Sequence, residues 1–310
     1  MTGLKQKRFD LRKVMAVMSI SKAIRRVERL RTKEPLSEEE EFEYIETLSY
    51  LIEETKNSDF MVELGGFYYE RKIFDKALKY YEMAFECGNE WVSEGLGYIW
   101  YYGRTGETDY EKAFRYYSIA AKNGNLRSKI KLADMYKNGY YVEKDYQKYC
   151  QIIEESKELV DNAYYLNEPL PEIYTRLARI RKDQGRTDEA AELYLEAKSF
   201  LAQRIRVTHF FGDRNIMKWL IEDLYTIIRF DETDFDLYDL YYLLKEPVNV
   251  AFRYEDRKYQ VQSEDTEDGM AVRFENTWFR TIDDFFGKAM INKVLLTDLY
   301  RELYAFEVER

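Results

Sequence analysis

His209 is the one histidine among 310 residues, so a zinc site or a histidine-based triad would have to be built around it. No cysteine lies near it in the sequence, and Phe210 and Phe211 follow it; it reads as a structural residue in a helix–helix turn. Cys87 falls at the end of a helical stretch and Cys150 beside Tyr149. Neither has a cluster of cations that would favour a thiolate, and both read as packing residues. The glycines do not cradle phosphate: Gly65-Gly66 lies inside a helical pattern, while Gly103 and Gly106 belong to a turn. Acid pairs such as Asp231-Glu232 and Asp283-Asp284 are what the solvated surface of an acidic helical protein carries. The expectation is a non-enzyme with no cofactor, no metal and no catalytic residue.

Those residues must be held by helices. Only 4 Pro and 14 Gly occur, too few punctuators for a loop-rich all-β fold. Tyrosine is heavily used, 29 against 18 Phe and 4 Trp, and at helical spacing it fills half-buried positions with its ring inward and its hydroxyl toward water. Two widely separated cysteines form no disulfide framework, which points to a reducing compartment and a cytoplasmic location. Lys5, Lys7, Arg8, Arg12 and Lys13 precede an apolar run, Val14 to Ile20. That run is short, holds Ser19 and meets Lys22 at once, so it reads as one face of a helix and not as an export signal. No stretch approaches the roughly 20 apolar residues of a membrane span.

The net charge of −10 is unevenly spread, because residues 1–33 hold eleven basic side chains and two acids. Leu11, Val14, Met18, Ile24, Val27 and Leu30 recur near the 3.6 period, giving a basic amphipathic helix over 9–33. Ser37 and Glu40 form a capping-box signature for an acidic helix over about 38–54. The two read as an antiparallel pair with complementary surfaces. The rival reading gives the basic segment, residues 5–33, to nucleic acid as a regulator; the acidic remainder of the chain and the absence of interleaved aromatics argue against it.

From residue 58 the chain repeats. Leu64-Gly65…Tyr68, Leu96-Gly97…Trp100, Leu132-Ala133…Tyr136 and Leu177-Ala178…Arg181 align. So do Ala77…Tyr81…Ala84, Ala113…Tyr117…Ala120 and Ala190…Tyr194…Ala197, with Tyr149…Ile153…Ser156 as a weaker copy. Small residues let paired helices approach, and hairpins that each leave an apolar face exposed must stack. Copies one and four resemble tetratricopeptide repeats. Copies two and three, with the longer turns Tyr102 to Ala113 and Asn138 to Tyr146, resemble Sel1-like repeats. The resemblance covers about 58–205 and implies a right-handed α-solenoid whose family serves mainly as adaptors and scaffolds.

The expected architecture is therefore mainly α. A helical hairpin occupies 1–57, four repeats 58–205, a capping helix 206–233 and a small α+β domain 234–310. In that last domain, strands are expected over 248–254, 258–263, 270–275 and 277–281, and helices over 234–245, 282–288 and 295–306.

In hairpins of this kind the first helix lines the concave wall. Counting outward from each repeat leucine places Tyr69, Trp91, Tyr98 and Tyr101 at an aromatic end. Arg127, Asp134, Lys137, Arg179 and Lys182 lie toward a basic end. Aromatic anchors beside cations are what binding hot spots favour. The face is expected to bind a protein or peptide partner with an apolar anchor and an acidic segment or free carboxylate. The sequence sets no oligomeric state.

Overall fold

Helices begin where the sequence supplies a cap. The computed structural model describes residues 18–33, 35–161 and 169–309; they fall into two compact units, Met1–Tyr149 and Cys150–Arg310. Lys5, Lys7, Arg8, Arg12 and Lys13, with Leu11 and Val14, lie outside the described residues.

In the first unit, α1 (Ile20–Arg31) starts at Ser19, whose hydroxyl accepts from the Lys22 amide, and it buries Ala23, Val27 and Leu30. α2 (Glu38–Thr55) opens on the expected capping box, Ser37 and Glu40 each satisfying the other's backbone N–H. The basic helix meets acids: Glu43 takes Arg26 at 2.9 Å and Arg29 at 3.1 Å. Lys33 pairs with Glu40, and Glu63 holds Arg31 through both oxygens at 2.9 and 2.7 Å. The described part of the basic segment is thus one side of a complementary helix packing.

Two hairpins follow, α3 (Ser58–Glu70) with α4 (Phe74–Glu86), and α5 (Ser93–Tyr101) with α6 (Tyr110–Lys122); α7 (Leu126–Asn138) comes next, and α8 (Tyr146–Asp161) carries the unit boundary. The small residues after the repeat leucines are required by contact. A Cβ on Gly65 would lie 2.6 Å from the Tyr81 ring, and one on Gly97 2.6 Å from the Tyr117 ring. Gly95 presses the opposite edge of the Tyr81 ring, where a Cβ would sit at 2.9 Å, so one tyrosine is clamped between successive hairpins. Gly88 (φ 85°) and Gly124 (φ 87°) turn the chain between hairpins in the left-handed region. The asparagine after each does two jobs. Asn89 accepts from the Trp91 amide and donates to Ser58 Oγ at 3.2 Å; Asn125 accepts from the Ser128 amide and donates to Glu94 Oε2 at 2.7 Å. Each caps its own helix while tying it to the hairpin before. Leu48, Leu64 and Leu96 are fully buried in the resulting core, where truncating one leucine to alanine costs about 2–5 kcal/mol.

In the second unit, α9 (Leu170–Asp183) pairs with the 22-residue α10 (Thr187–Thr208), and α11 (Phe211–Leu224) follows. His209 ends α10 in the left-handed conformation (φ 51°), and its Nε2 lies 2.7 Å from Asp298 Oδ1. Two ionic clusters brace this packing. Arg204 spans Glu172 at 2.8 Å and Asp213 at 2.9 Å; Lys198 reaches Asp236 at 2.9 Å and Asp239 at 2.7 Å, and the Tyr225 hydroxyl also donates to Asp239. Burial opposes the Lys198 charge, yet Asp236 and Asp239 outweigh it and raise its pKa.

A 3₁₀ turn (Leu237–Asp239) and the short α12 (Leu240–Leu243) lead into an antiparallel sheet. Its strands are β1 (Asn249–Tyr254), β2 (Arg257–Thr266), β3 (Gly269–Phe274), β4 (Thr277–Phe279) and β7 (Tyr304–Glu309), in the order β4-β3-β2-β1-β7. α13 (Ile282–Lys288) and the small β5 (Met290–Ile291) and β6 (Val294–Leu295) lie between β4 and β7. The inner sheet face stacks Phe252, Tyr259 and Phe274, with Phe285 of α13 packed edge-on. The helix expected over 295–306 is not formed. Tyr304 to Glu309 alternates in strand fashion and pairs with β1, and Phe306 packs 5.1 Å from Phe252; completing the sheet outweighs the local helical pattern.

Candidate functional site

The first helices of the first unit bring the aromatic end of the expected wall together. Tyr69 of α3 meets Tyr98 of α5 at 5.8 Å between ring centroids. Tyr98 meets Tyr102 at 4.5 Å, and Tyr101 meets Tyr102 at 4.8 Å. Tyr101 continues to Tyr110 and Tyr140, which stack at 4.4 Å. Edge and tilted contacts of this kind add to area burial. Tyr117, 1% exposed, lies beneath, its hydroxyl without a hydrogen-bond partner. Burial, reinforced by neighbouring tyrosines, pushes the Tyr69 and Tyr117 hydroxyls far up; for Tyr101, burial and the Asp134 carboxylate do the same. These groups are therefore O–H donors at any physiological pH.

Two cations sit on these rings. The Arg104 guanidinium lies 5.0 Å from the Tyr98 centroid and 5.2 Å from that of Tyr102, and it donates to the Tyr98 hydroxyl at 2.6 Å. The Lys131 ammonium lies 5.3 Å from the Tyr101 centroid and donates to the Tyr102 hydroxyl at 2.6 Å. Among the described residues neither has a carboxylate within ion-pair distance. Both were missed in the sequence. Arg104 belongs to the long turn of copy two, and Lys131 precedes its repeat leucine, a position outside the counted wall.

Apart from Asp134, whose carboxylate acts on the Tyr101 hydroxyl, the other expected wall residues are not gathered here. Trp91, 87% exposed, stands on the 3₁₀ turn before α5. Arg127 is exposed in the first turn of α7, and Asp134 is half-buried on that helix. The Lys137 ammonium lies 5.1 Å from the Tyr149 ring. In the second unit, α11 and the turn after it engage both basic positions: Arg179 pairs with Asp223 at 2.6 Å, and Lys182 donates to Thr226 at 2.7 Å. Tyr194, fully buried, is the aromatic beside Arg179 and Asp223. Cys87 is exposed and not the packing residue expected, because it caps α4 where the chain turns outward at Gly88.

A cavity of about 870 Å³ lies apart from these tyrosines, between α1, α2 and α3, lined by Tyr44 and Phe67. Its rim charges compensate one another: Arg71 pairs with Glu41 while lying 3.6 Å above Phe67, and Glu63 takes both Arg31 and the Tyr44 hydroxyl. Among the described residues no three His, Cys, Asp or Glu side chains gather as they would around a metal, and no helix is long and apolar enough to cross a membrane.

Residues 61–89, 94–125 and 127–148 match a family model described as Sel1 repeat, so these three segments of the first unit are Sel1 repeats. Such repeats generally mediate protein–protein interaction, and the family is typically a non-catalytic scaffold. Among solved structures, a Sel1 repeat protein from Oxalobacter formigenes is 22% identical, over 57% of this chain and 67% of that one, with a TM-score of 0.44. The protein c5321, a protective antigen present in uropathogenic Escherichia coli strains and displaying an SLR fold, is 22% identical, over 61% of this chain and 46% of that one, with a TM-score of 0.36. No curated protein matches the chain.

Proposed function

We propose that the chain is a non-catalytic scaffold of a reducing, cytoplasmic compartment that docks a protein or peptide on the first-helix wall of its Sel1 repeats. The bound segment carries an apolar anchor beside an acidic group. One observation carries this reading: in a chain of net charge −10, Arg104 and Lys131 lie on tyrosine faces with no carboxylate partner among the described residues. An arriving carboxylate gains two charge-assisted hydrogen bonds, and the tyrosines supply rigid contact area at small entropic cost. Tyr69, Tyr98 and Tyr101 form the anchor surface; Trp91, Arg127, Asp134 and Lys137 flank it. Arg179 and Lys182 would serve only a partner able to displace Asp223 and Thr226.

The rival reading, a nucleic-acid regulator using residues 5–33, draws less support, because Arg26, Arg29, Arg31 and Lys33 are already paired with acids. A display library of acidic peptides with aromatic or aliphatic anchors, panned on the full chain, tests the proposal. Selected peptides should bind more weakly as salt rises and lose about tenfold in affinity on Arg104→Ala. A library that yields no binder dependent on Arg104 or Lys131 would sink it.

A further inference from the structure

The outer face of the sheet carries a feature independent of the repeat wall. The registers Trp278↔Arg273, Arg273↔Gln262, Gln262↔Asn249 and Asn249↔Glu309 put one residue from each of the five strands into a single row. At about 4.8 Å per strand, that row is roughly 19 Å long. It consists entirely of planar groups: an indole, a guanidinium, two amides and a carboxylate. An outward sheet face of mixed Lys, Glu and Thr needs no explanation; this one differs in three respects. Trp278 is 51% exposed at the end of the row, its ring met by the Arg273 guanidinium at 5.8 Å and otherwise open. A depression of about 330 Å³ lies along the row from Arg273 to Glu309, lined by Asn249, Gln260, Gln262, Arg273, Glu275 and Glu309 and ending short of Trp278. The lining side chains are also braced: Arg273 donates to Gln262 Oε1, Gln260 donates to Glu309 Oε2 at 2.8 Å, and Lys258 holds Glu309 at 2.7 Å.

We propose that this row is a binding site for a neutral oligosaccharide laid across the strands. A pyranose presents an apolar C–H face, which suits the exposed indole, and a rim of hydroxyls that both donate and accept. Amides also do both, the guanidinium only donates and the carboxylate only accepts, so the row offers complementary partners along its length. Its one cation and one anion cancel, and the acids beside it, Glu275 and Glu307, pair with Arg257 and Lys258. That neutrality gives neither the phosphates of nucleic acid nor an acidic peptide a net attraction. Braced side chains lose little freedom when a ligand arrives.

The test is saturation-transfer NMR and calorimetric titration of the full chain with cellohexaose, chitohexaose, maltohexaose and mannohexaose. At least one should bind, and Trp278→Ala and Gln262→Ala should each weaken it about tenfold, the loss of one stacking or hydrogen-bonding contact. Trp219→Ala, which removes an exposed indole elsewhere, should leave the affinity unchanged. Both row residues are at the surface, and an unchanged circular dichroism spectrum establishes that each variant is folded. The inference is overturned if none of the four sugars binds at millimolar concentration, if binding survives both row substitutions, or if the same face takes single-stranded nucleic acid and no sugar.

Discussion

The two units use their cations in opposite ways. In the first, Arg104 and Lys131 lie on tyrosine rings, and their partners are ring faces and phenolic hydroxyls. In the second, Arg179 and Lys182, which hold wall positions in the repeat count, are taken by Asp223 of α11 and Thr226 of the turn after it. Arg204 and Lys198 there are enclosed by two carboxylates each. Repeat positions alone therefore do not say which wall stays open to a partner. The helix that follows decides, by supplying acids or by leaving the cations uncompensated.

The largest effect that would sharpen this contrast is Lys198→Ala. It leaves Asp236 and Asp239 facing each other without their cation, and removing one member of a buried ion pair costs about 3–5 kcal/mol, readable by urea denaturation. A fall under 1 kcal/mol would mean the cluster is effectively solvated and the second unit's cations are not structural. Next comes Gly97→Ala. Helix propensity alone favours alanine by about 0.5–1 kcal/mol, but its Cβ would meet the Tyr117 ring at 2.6 Å, and overpacking costs about 1–3 kcal/mol. The expected result is a net loss of thermal stability. In the second unit Ala178→Gly, in the same repeat position, should also destabilise, by about 0.5–1 kcal/mol; a gain in stability from either change would break the packing account.

Much of this was legible in the sequence, because the Leu-small-aromatic spacing records helix–helix contact directly. Gly65, Gly97, Ala77 and Ala113 are buried where the pattern put them, and the Ser37–Glu40 cap is local chemistry that any context preserves. The site was legible only in part. Tyr69, Tyr98 and Tyr101 follow from counting along helices, but Arg104 reaches the wall from a turn whose path no periodicity encodes. That Arg179 and Lys182 are engaged depends on a carboxylate and a hydroxyl 44 residues away. Residues 295–306 misled because a strand that completes a sheet edge is set by its partner, β1, and not by its own propensity.

Smaller effects separate the units more finely. Arg104→Ala and Lys131→Ala should each weaken an acidic peptide by about tenfold while changing folding stability by less than about 0.5 kcal/mol. Arg179→Ala should do the reverse, leaving peptide affinity intact and costing up to about 1 kcal/mol, the range of a partly exposed pair. The smallest change expected is in pH dependence. Lys33 and the Ser37 cap hold the Glu40 carboxyl down to about 2, so its contribution is present above the ordinary glutamate pKa of about 4.3 and is lost as pH falls through the depressed value. Glu40→Gln should flatten the acid limb of stability between those two values; an unchanged acid limb would show that the cap does not titrate.

The most direct test of the central claim is quantitative affinity enrichment with three baits: the wild-type chain, Arg104→Ala/Lys131→Ala and Arg179→Ala/Lys182→Ala, all verified as folded. The account predicts that a partner enriched by wild type is lost with the first pair and kept with the second. Equal enrichment by all three, or loss with the second pair alone, would contradict it and move the docking face away from the Sel1 wall.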